Sequence, residues 1–176
     1  MAKDTVTRTA VSAGALLRRY GDGTGYGASA YTDAYTVTVT GAISLERYIA
    51  AFYSTRLFRL ERFILGLAGL GTNDTEVEEL ACGERQRFAA WNVEARADNE
   101  LLLCDVRERT RSWLMTEIGA SDTRLYFGSA VVLNESRNGK ASVTWYFRGL
   151  FPLHRMYSRA LLAAARRQLK SQQLAS

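Results

Sequence analysis

The sequence predicts an α+β fold in which an antiparallel sheet is covered by helices. Residues 87–150 alternate between apolar and polar side chains in runs separated by short turn-like connectors, and residues 152–172 follow helical spacing. Strands joined by short turns must pair antiparallel, because parallel pairs need long crossover connections. With 176 residues and 47% hydrophobic residues, we expect one domain, residues 32–176, after a flexible N-terminal segment, residues 1–31.

The N-terminal segment contains a glycine-rich stretch, G-D-G-T-G-Y-G, in which Gly23, Gly25 and Ala28 fit the spacing G-x-G-x-x-A. A dinucleotide site requires an apolar strand before this motif and a helix after it. Here a polar or helix-like run precedes the glycines, and T-D-A-Y-T-V-T-V-T follows them. We therefore expect a flexible loop that binds no nucleotide, and we predict no cofactor.

The first strand and the first helix follow this loop. Residues 33–40 alternate and are rich in Thr, Val and Tyr, which is typical of a strand. Ser44 is predicted to cap a helix, because apolar residues recur at helical spacing from residue 45 to about residue 67. This region forms either one long helix or two helices joined near Ser54 and Thr55.

A second helix start lies at Asn73, which is followed by Glu76 at capping-box spacing. Because the residues that follow are mostly acidic, we predict a short acidic helix that ends near Cys82. Four alternating runs then predict an antiparallel meander of strands at residues 87–97, 100–117, 123–134 and 140–150.

The second of these runs alternates poorly, because Asp105, Arg107, Arg109 and Arg111 share the parity of Trp113. Four charges cannot be buried unpaired in an apolar interior. Either a bulge shifts the register, which we favour, or the charges line a wet cavity mouth. In the second case Arg109 or Arg111 would bind a carboxylate or phosphate head group.

The last helix is predicted to start at Pro152, since a missing N–H costs nothing in a first helical turn. Its alanines would let it approach a sheet closely. The predicted apolar stripe consists of Leu153, Met156, Tyr157, Ala160, Ala163, Ala164 and Leu169.

Three segments carry a resemblance to a known family: R-T-R-S-W-L (109–114), T-R-L-Y-F-G-S-A-V (123–131) and W-Y-F-R-G-L-F-P-L-H-R-M-Y (145–157). With the order of elements, they resemble an uncharacterised bacterial branch of the START-like superfamily, also called SRPBCC or Bet v 1-like, over roughly residues 32–172. The resemblance implies a helix-grip fold, in which a curved antiparallel sheet wraps around a long C-terminal helix. It also implies an internal cavity for small hydrophobic or amphipathic molecules, and it implies no single reaction.

Strand parity gives candidate cavity residues, because the larger apolar residues of all the runs can face one side. They are either a plain core or the wall of a cavity, and three tryptophans on one face favour a flat or greasy ligand. The predicted ligand-binding residues are Trp91, Arg109, Arg111, Trp113, Phe127, Trp145 and His154.

His154, the only histidine, lies two residues after the only proline. It could help to start the helix, donate or accept a hydrogen bond at the cavity mouth, or act as a general base. A base would need an orienting acid, for which Glu94 and Glu117 are candidates. No catalytic motif is present, so we name no catalytic residue and do not favour an enzyme.

Composition narrows the partners further. The net charge of +5 comes mainly from arginines that alternate with acids, so nucleic acid is not an expected partner. One histidine and two separated cysteines, Cys82 and Cys104, predict no metal site. Charges interrupt the only long apolar segment, and the N-terminus lacks an apolar signal region, so we expect a cytoplasmic protein without membrane insertion.

The main hypothesis is therefore a domain that binds a small hydrophobic or amphipathic molecule between the sheet and the C-terminal helix. One alternative is an enzyme of the same fold, a cyclase, hydrolase or isomerase, that uses His154 with Arg109 or Arg111. Another is a peripheral membrane or interaction module, in which the aromatic and basic residues 50–65 lie on an anionic membrane. The sequence specifies neither the ligand nor the biological process, and it is compatible with a homodimer.

Overall fold

The protein has the predicted α+β architecture. A computed structural model describes residues 5–26, 30–56, 58, 72–132 and 145–174, and for residues 26 and 145–153 it describes the backbone alone. Within these residues, an open antiparallel sheet of eight strands is combined with a long C-terminal helix and two shorter helices.

The eight strands are β1 (Thr7–Arg8), β2 (Thr24–Tyr26), β3 (Ala30–Thr40), β4 (Arg87–Phe88), β5 (Trp91–Ala97), β6 (Glu100–Asp105), β7 (Thr110–Ile118) and β8 (Asp122–Val132). Their order in the sheet is β1-β3-β8-β7-β6-β5-β4, and β2 pairs with β3 at one edge. The four strands from β5 to β8 form an antiparallel meander, but its members differ from those predicted, because the run predicted as one strand at residues 100–117 is the two strands β6 and β7. β3 pairs with β8 along its whole length, from Ala30 opposite Val132 to Thr40 opposite Asp122.

The poorly alternating charged run is a turn between two strands, so the favoured prediction of one bulged strand is wrong. The Asp105 carboxylate accepts hydrogen bonds from the backbone N–H groups of Arg109 (2.6 Å) and Thr110 (3.2 Å). Glu108 adopts a positive φ of 57° within the turn. Because residues 106–109 are exposed, their charges remain in water and need no partner.

Both predicted helix caps are confirmed. Helix α1 (Leu45–Tyr53) starts after Ser44, whose side chain accepts a hydrogen bond from the Arg47 N–H. Helix α2 (Asp74–Cys82) has the reciprocal capping box of Asn73 and Glu76. Since α1 ends at Tyr53, the continuation predicted to reach residue 67 falls largely on residues 57 and 59–71, which lie outside the described part of the chain.

Helix α3 (Trp145–Leu174) starts earlier than predicted. Residues 145–150 are helical, so the strand predicted for residues 140–150 is wrong over that part, and Pro152 lies inside the helix rather than in its first turn. A short apolar run fits a strand and a helix equally well, which explains the error. Residues 140–144 lie outside the described part.

The buried face of α3 also differs from the predicted stripe. Among the described side chains of this helix, which are those from residue 154 onward, Leu169 is the one residue of the predicted stripe that is buried. The buried set is Ser158, Leu161, Leu162, Ala165 and Leu169. By contrast, the side chain of Met156 is 63% exposed. This face packs against α1 and against β3 and β8.

The sheet buries both of its faces. On the inner face, the helices cover residues such as Leu114 and Phe127. The outer face is covered by the N-terminal segment, including the 3₁₀ turn Leu16–Arg19, which packs against Trp113. The N-terminal segment, which was predicted to be flexible because of its glycines, therefore contributes β1, β2 and part of a second hydrophobic core.

Candidate functional site

A cavity of about 240 Å³ lies between the inner face of the sheet and α3. Aromatic rings form much of its wall, and the Phe52 and Phe127 ring centroids lie 5.0 Å apart. For comparison, a dry engineered cavity of about 150 Å³ is large enough to hold benzene. The cavity therefore has room for a molecule of one or two rings. Its apolar wall consists of Phe52, Tyr53, Phe58, Trp91, Phe127, Val131, Tyr157 and Leu161.

A chain of hydrogen bonds starts at the polar part of this wall. The His154 Nε2 lies 2.8 Å from the Ser129 Oγ, and that hydroxyl donates to the Asp33 Oδ1 at 2.5 Å. The Tyr35 hydroxyl donates to the other carboxylate oxygen, Oδ2, at 3.3 Å. Because Asp33 and Ser129 face each other across β3 and β8, the register of these two strands brings the groups together.

These hydrogen bonds determine which nitrogen of the His154 ring carries a proton. Ser129 has a single hydroxyl proton, which it donates to Asp33. The Ser129 oxygen can then only accept from His154, so the imidazole must carry a proton on Nε2. In the neutral ring, Nδ1 is consequently left as a hydrogen-bond acceptor.

The Asp33 carboxylate is fully buried, with 0% of its surface exposed. Its oxygen Oδ1 lies 3.9 Å from the His154 Nε2, so a protonated imidazole would form an ion pair with it. Burial and the charge of Asp33 raise the pKa of Tyr35, although a hydrogen bond from Arg155 opposes this rise. Tyr35 therefore remains a hydrogen-bond donor to Asp33 near neutral pH.

A second polar group on the wall is the Ser158 hydroxyl on α3. Ser158 is 0% exposed and lines the cavity, and its Oγ has no hydrogen-bond partner among the described residues. A buried polar atom without a partner typically costs about 1–3 kcal/mol, and native proteins contain few of them. A water or a polar ligand atom in the cavity would relieve this cost.

Four of the predicted site residues line the cavity: Trp91, Arg111, Phe127 and His154. Arg111 is already engaged, because its Nε lies 2.8 Å from the Glu94 Oε2 and 2.9 Å from the Tyr20 hydroxyl. Burial is the largest single effect on the pKa of Arg111 and lowers it, but the hydrogen bond to Glu94 and the nearby Tyr20, Cys104 and Glu94 groups together outweigh burial and raise the pKa. In the strand register Arg111 lies opposite Ala130, on the same side of the sheet as Trp113, so its guanidinium is held by partners on the outer face and is not a free clamp.

Two predicted site residues lie elsewhere. Trp113 is on the outer face, since it pairs with Gly128 while Leu114 pairs with Phe127. Its indole Nε1 donates to the buried Glu100 at 2.7 Å, which makes it a core residue. Arg109 is exposed in the turn and does not line the cavity.

Trp145, the last predicted site residue, is on helix α3 rather than on a strand, and its side chain lies outside the described part. Neither of the predicted orienting acids serves His154. Glu94 pairs with Arg111, and Glu117 accepts a hydrogen bond from the Tyr126 hydroxyl at 2.6 Å.

Sequence reasoning missed Asp33, Ser129 and Ser158. A signal for Asp33 was present, because an acid in the middle of a strand otherwise rich in Thr, Val and Tyr needs partners if the strand is buried. Nothing in the sequence marked Ser129 as its partner, since that contact depends on the pairing of β3 with β8.

Among the described residues, no group of three or more His, Cys, Asp or Glu side chains could hold a metal ion. No helix within those residues combines the length and apolarity needed to cross a membrane. Comparison with known proteins finds no family model, no curated protein and no solved structure that matches this chain.

Proposed function

We propose that the protein binds a small hydrophobic or amphipathic molecule in the cavity between the sheet and α3. The observation that carries this proposal is an aromatic cavity of about 240 Å³ with an oriented imidazole and an unpartnered buried hydroxyl in its wall. Ligand sites commonly combine such an apolar wall with a few placed polar groups.

The chemistry of the wall narrows the ligand class. Phe52, Phe127 and Trp91 offer ring faces and edges for a flat apolar body. Ser158 can donate or accept a hydrogen bond, and neutral His154 can accept one at Nδ1. A one- or two-ring molecule with a hydroxyl or N–H group fits these properties better than a long-chain lipid does.

We also propose the finer fold assignment, helix-grip, and with it membership of the START-like superfamily. Two features support it: the long C-terminal helix packs on the inner face of an antiparallel sheet, and the cavity lies between them. The internal cavity is also what the resemblance implies.

The most direct test is a binding measurement with 2-naphthol, a two-ring probe with one hydroxyl group. Isothermal titration and thermal melting should show saturable binding, and saturation at about 100 times Kd should stabilise the fold by about 2.7 kcal/mol. Val131→Phe, which fills the cavity, should weaken binding by about tenfold or more, whereas Met156→Gln on the exposed face of α3 should leave it unchanged. Equal binding by both variants, or no binding by the wild type to a panel of one- and two-ring phenols, would overturn the proposal.

Catalysis in the same cavity is the second candidate function, and the chain from His154 through Ser129 to the buried Asp33 is the observation that favours it. An imidazole held in one tautomer by a carboxylate-backed hydroxyl is suited to accept a proton from a bound molecule. Native mass spectrometry would first identify a molecule that co-purifies with the protein. If the wild type converts that molecule and His154→Gln only binds it, the protein is an enzyme; if both return it unchanged, it is a binding protein.

A further inference from the structure

A second concave surface, separate from the cavity, lies on the outside of the molecule between β1 and α3. It is an open groove of about 550 Å³, and we call it the arginine groove. Arg8 on β1 and Arg155 and Arg159 on α3 line it, together with Tyr35 and Met156. All three arginines are exposed.

The arginine groove has an uncompensated positive charge in the described structure. None of its lining residues is acidic, and no ion pair among the described residues involves Arg8, Arg155 or Arg159. The charge of Asp33 contributes to the raised pKa of Arg155, but the Asp33 carboxylate is fully buried and accepts a hydrogen bond from the Tyr35 hydroxyl.

The three guanidinium groups also keep most of their donors available. The Arg159 Nη2 makes one long hydrogen bond, 3.5 Å, to the Val6 carbonyl oxygen. Arg155 bonds to the Tyr35 phenol, which raises the pKa of Arg155. Each guanidinium carries five N–H donors in a fixed fork, so several donors per arginine have no partner among the described residues and can bind a ligand.

We propose that the arginine groove binds a phosphate group. Paired N–H donors of arginine match the geometry of phosphate oxygens, and three cations around one groove favour a group with more than one negative charge over a single carboxylate. The exposed side chain of Met156 gives the groove one apolar wall against which the rest of a phosphate ester can lie. This site is independent of the proposed function of the cavity.

The same chemistry could come from a soluble phosphate compound or from the head group of a phospholipid, and the experiment separates the two. Pyrophosphate is titrated calorimetrically at low ionic strength, and sedimentation is measured with phosphatidylcholine vesicles that contain or lack phosphatidic acid. The test variant is Arg155→Gln/Arg159→Gln. The matched control is Arg87→Gln/Arg107→Gln, which removes the same charge at two exposed positions outside the groove.

We expect the test variant to weaken pyrophosphate binding by about tenfold or more, with the control within about twofold of the wild type. If only vesicles with phosphatidic acid bind, and the test variant alone loses that binding, the phosphate belongs to a lipid. The proposal is overturned if neither probe binds, or if test and control variants lose binding equally, because the effect would then reflect net charge alone.

Discussion

Replacing Ser129 with alanine tests the hydrogen-bond chain behind the cavity. The substitution removes the 2.5 Å hydrogen bond to Asp33, whose carboxylate is fully buried and cannot turn to water. Among the described residues, one long side-chain hydrogen bond to the carboxylate remains, 3.3 Å from the Tyr35 hydroxyl, and the His154 Nε2 at 3.9 Å is beyond hydrogen-bond distance. Since a hydrogen bond to a charged group contributes about 1.5–3 kcal/mol, we expect a loss of about 2–3 kcal/mol in the free energy of unfolding.

Ser158→Ala is the matched control, because it removes a second buried serine hydroxyl in the same cavity. That hydroxyl has no partner among the described residues, so its removal loses no hydrogen bond and relieves the cost of burial. We expect the free energy of unfolding to stay the same or to rise by up to about 1 kcal/mol. Affinity for a hydroxylated ligand should fall in this variant, since Ser158 is proposed to bind the ligand.

Urea unfolding followed by tryptophan fluorescence gives both free energies by linear extrapolation. A double-mutant cycle that combines Ser129→Ala with Asp33→Asn then measures the coupling free energy between these two side chains. We expect a coupling of about 1–2 kcal/mol, because the neutral amide that Asp33→Asn introduces needs the Ser129 hydroxyl donor less than the Asp33 carboxylate does. Equal effects of Ser129→Ala and Ser158→Ala, or a coupling near zero, would refute the reasoning.

Three further variants test the two cores. Gly128→Ala should strongly destabilise the fold by overpacking, since the new Cβ would lie 2.5 Å from the Leu17 Cδ2 and 2.9 Å from the Trp113 Cε3. A melting temperature equal to that of the wild type would contradict this packing. Trp113→Ala should lower the free energy of unfolding in urea by about 3–5 kcal/mol, and it leaves the Glu100 carboxylate without its indole donor. A loss below about 1 kcal/mol would mean that the core on the outer face is not formed. Burial raises the pKa of Tyr48 well above the ordinary value of 10.0. Above pH 10.0 this tyrosine ionises in the unfolded chain but stays neutral in the folded one, so ionisation stabilises the unfolded state alone. Stability should therefore be complete below pH 10.0 and should fall above it by up to about 1.4 kcal/mol per pH unit from this group, and Tyr48→Phe should reduce that slope.

The sequence by itself determined the features that depend on neighbours in the chain. Ser44 and the pair Asn73 and Glu76 predicted both helix starts, because a cap is made by groups only three residues apart. Alternation and turn-forming residues predicted antiparallel strands between residues 87 and 132 for the same reason, although they missed the turn at residues 106–109. Where a local pattern fitted two structures, as at residues 145–150, the sequence could not choose between them.

The tertiary structure alone decided which side chains meet. Alternation separates the two faces of one strand, but the register between strands decides which residues of neighbouring strands lie on the same face of the sheet. Here the register places Trp113 opposite Gly128, on the outer face. The same register brings Asp33 to Ser129 across 96 residues of chain, and α3 then adds His154. Strand parity and the resemblance named Trp91, Phe127 and His154, which line the cavity. Local patterns could not identify Asp33, Ser129 and Ser158, because these groups come together only where three distant segments pack.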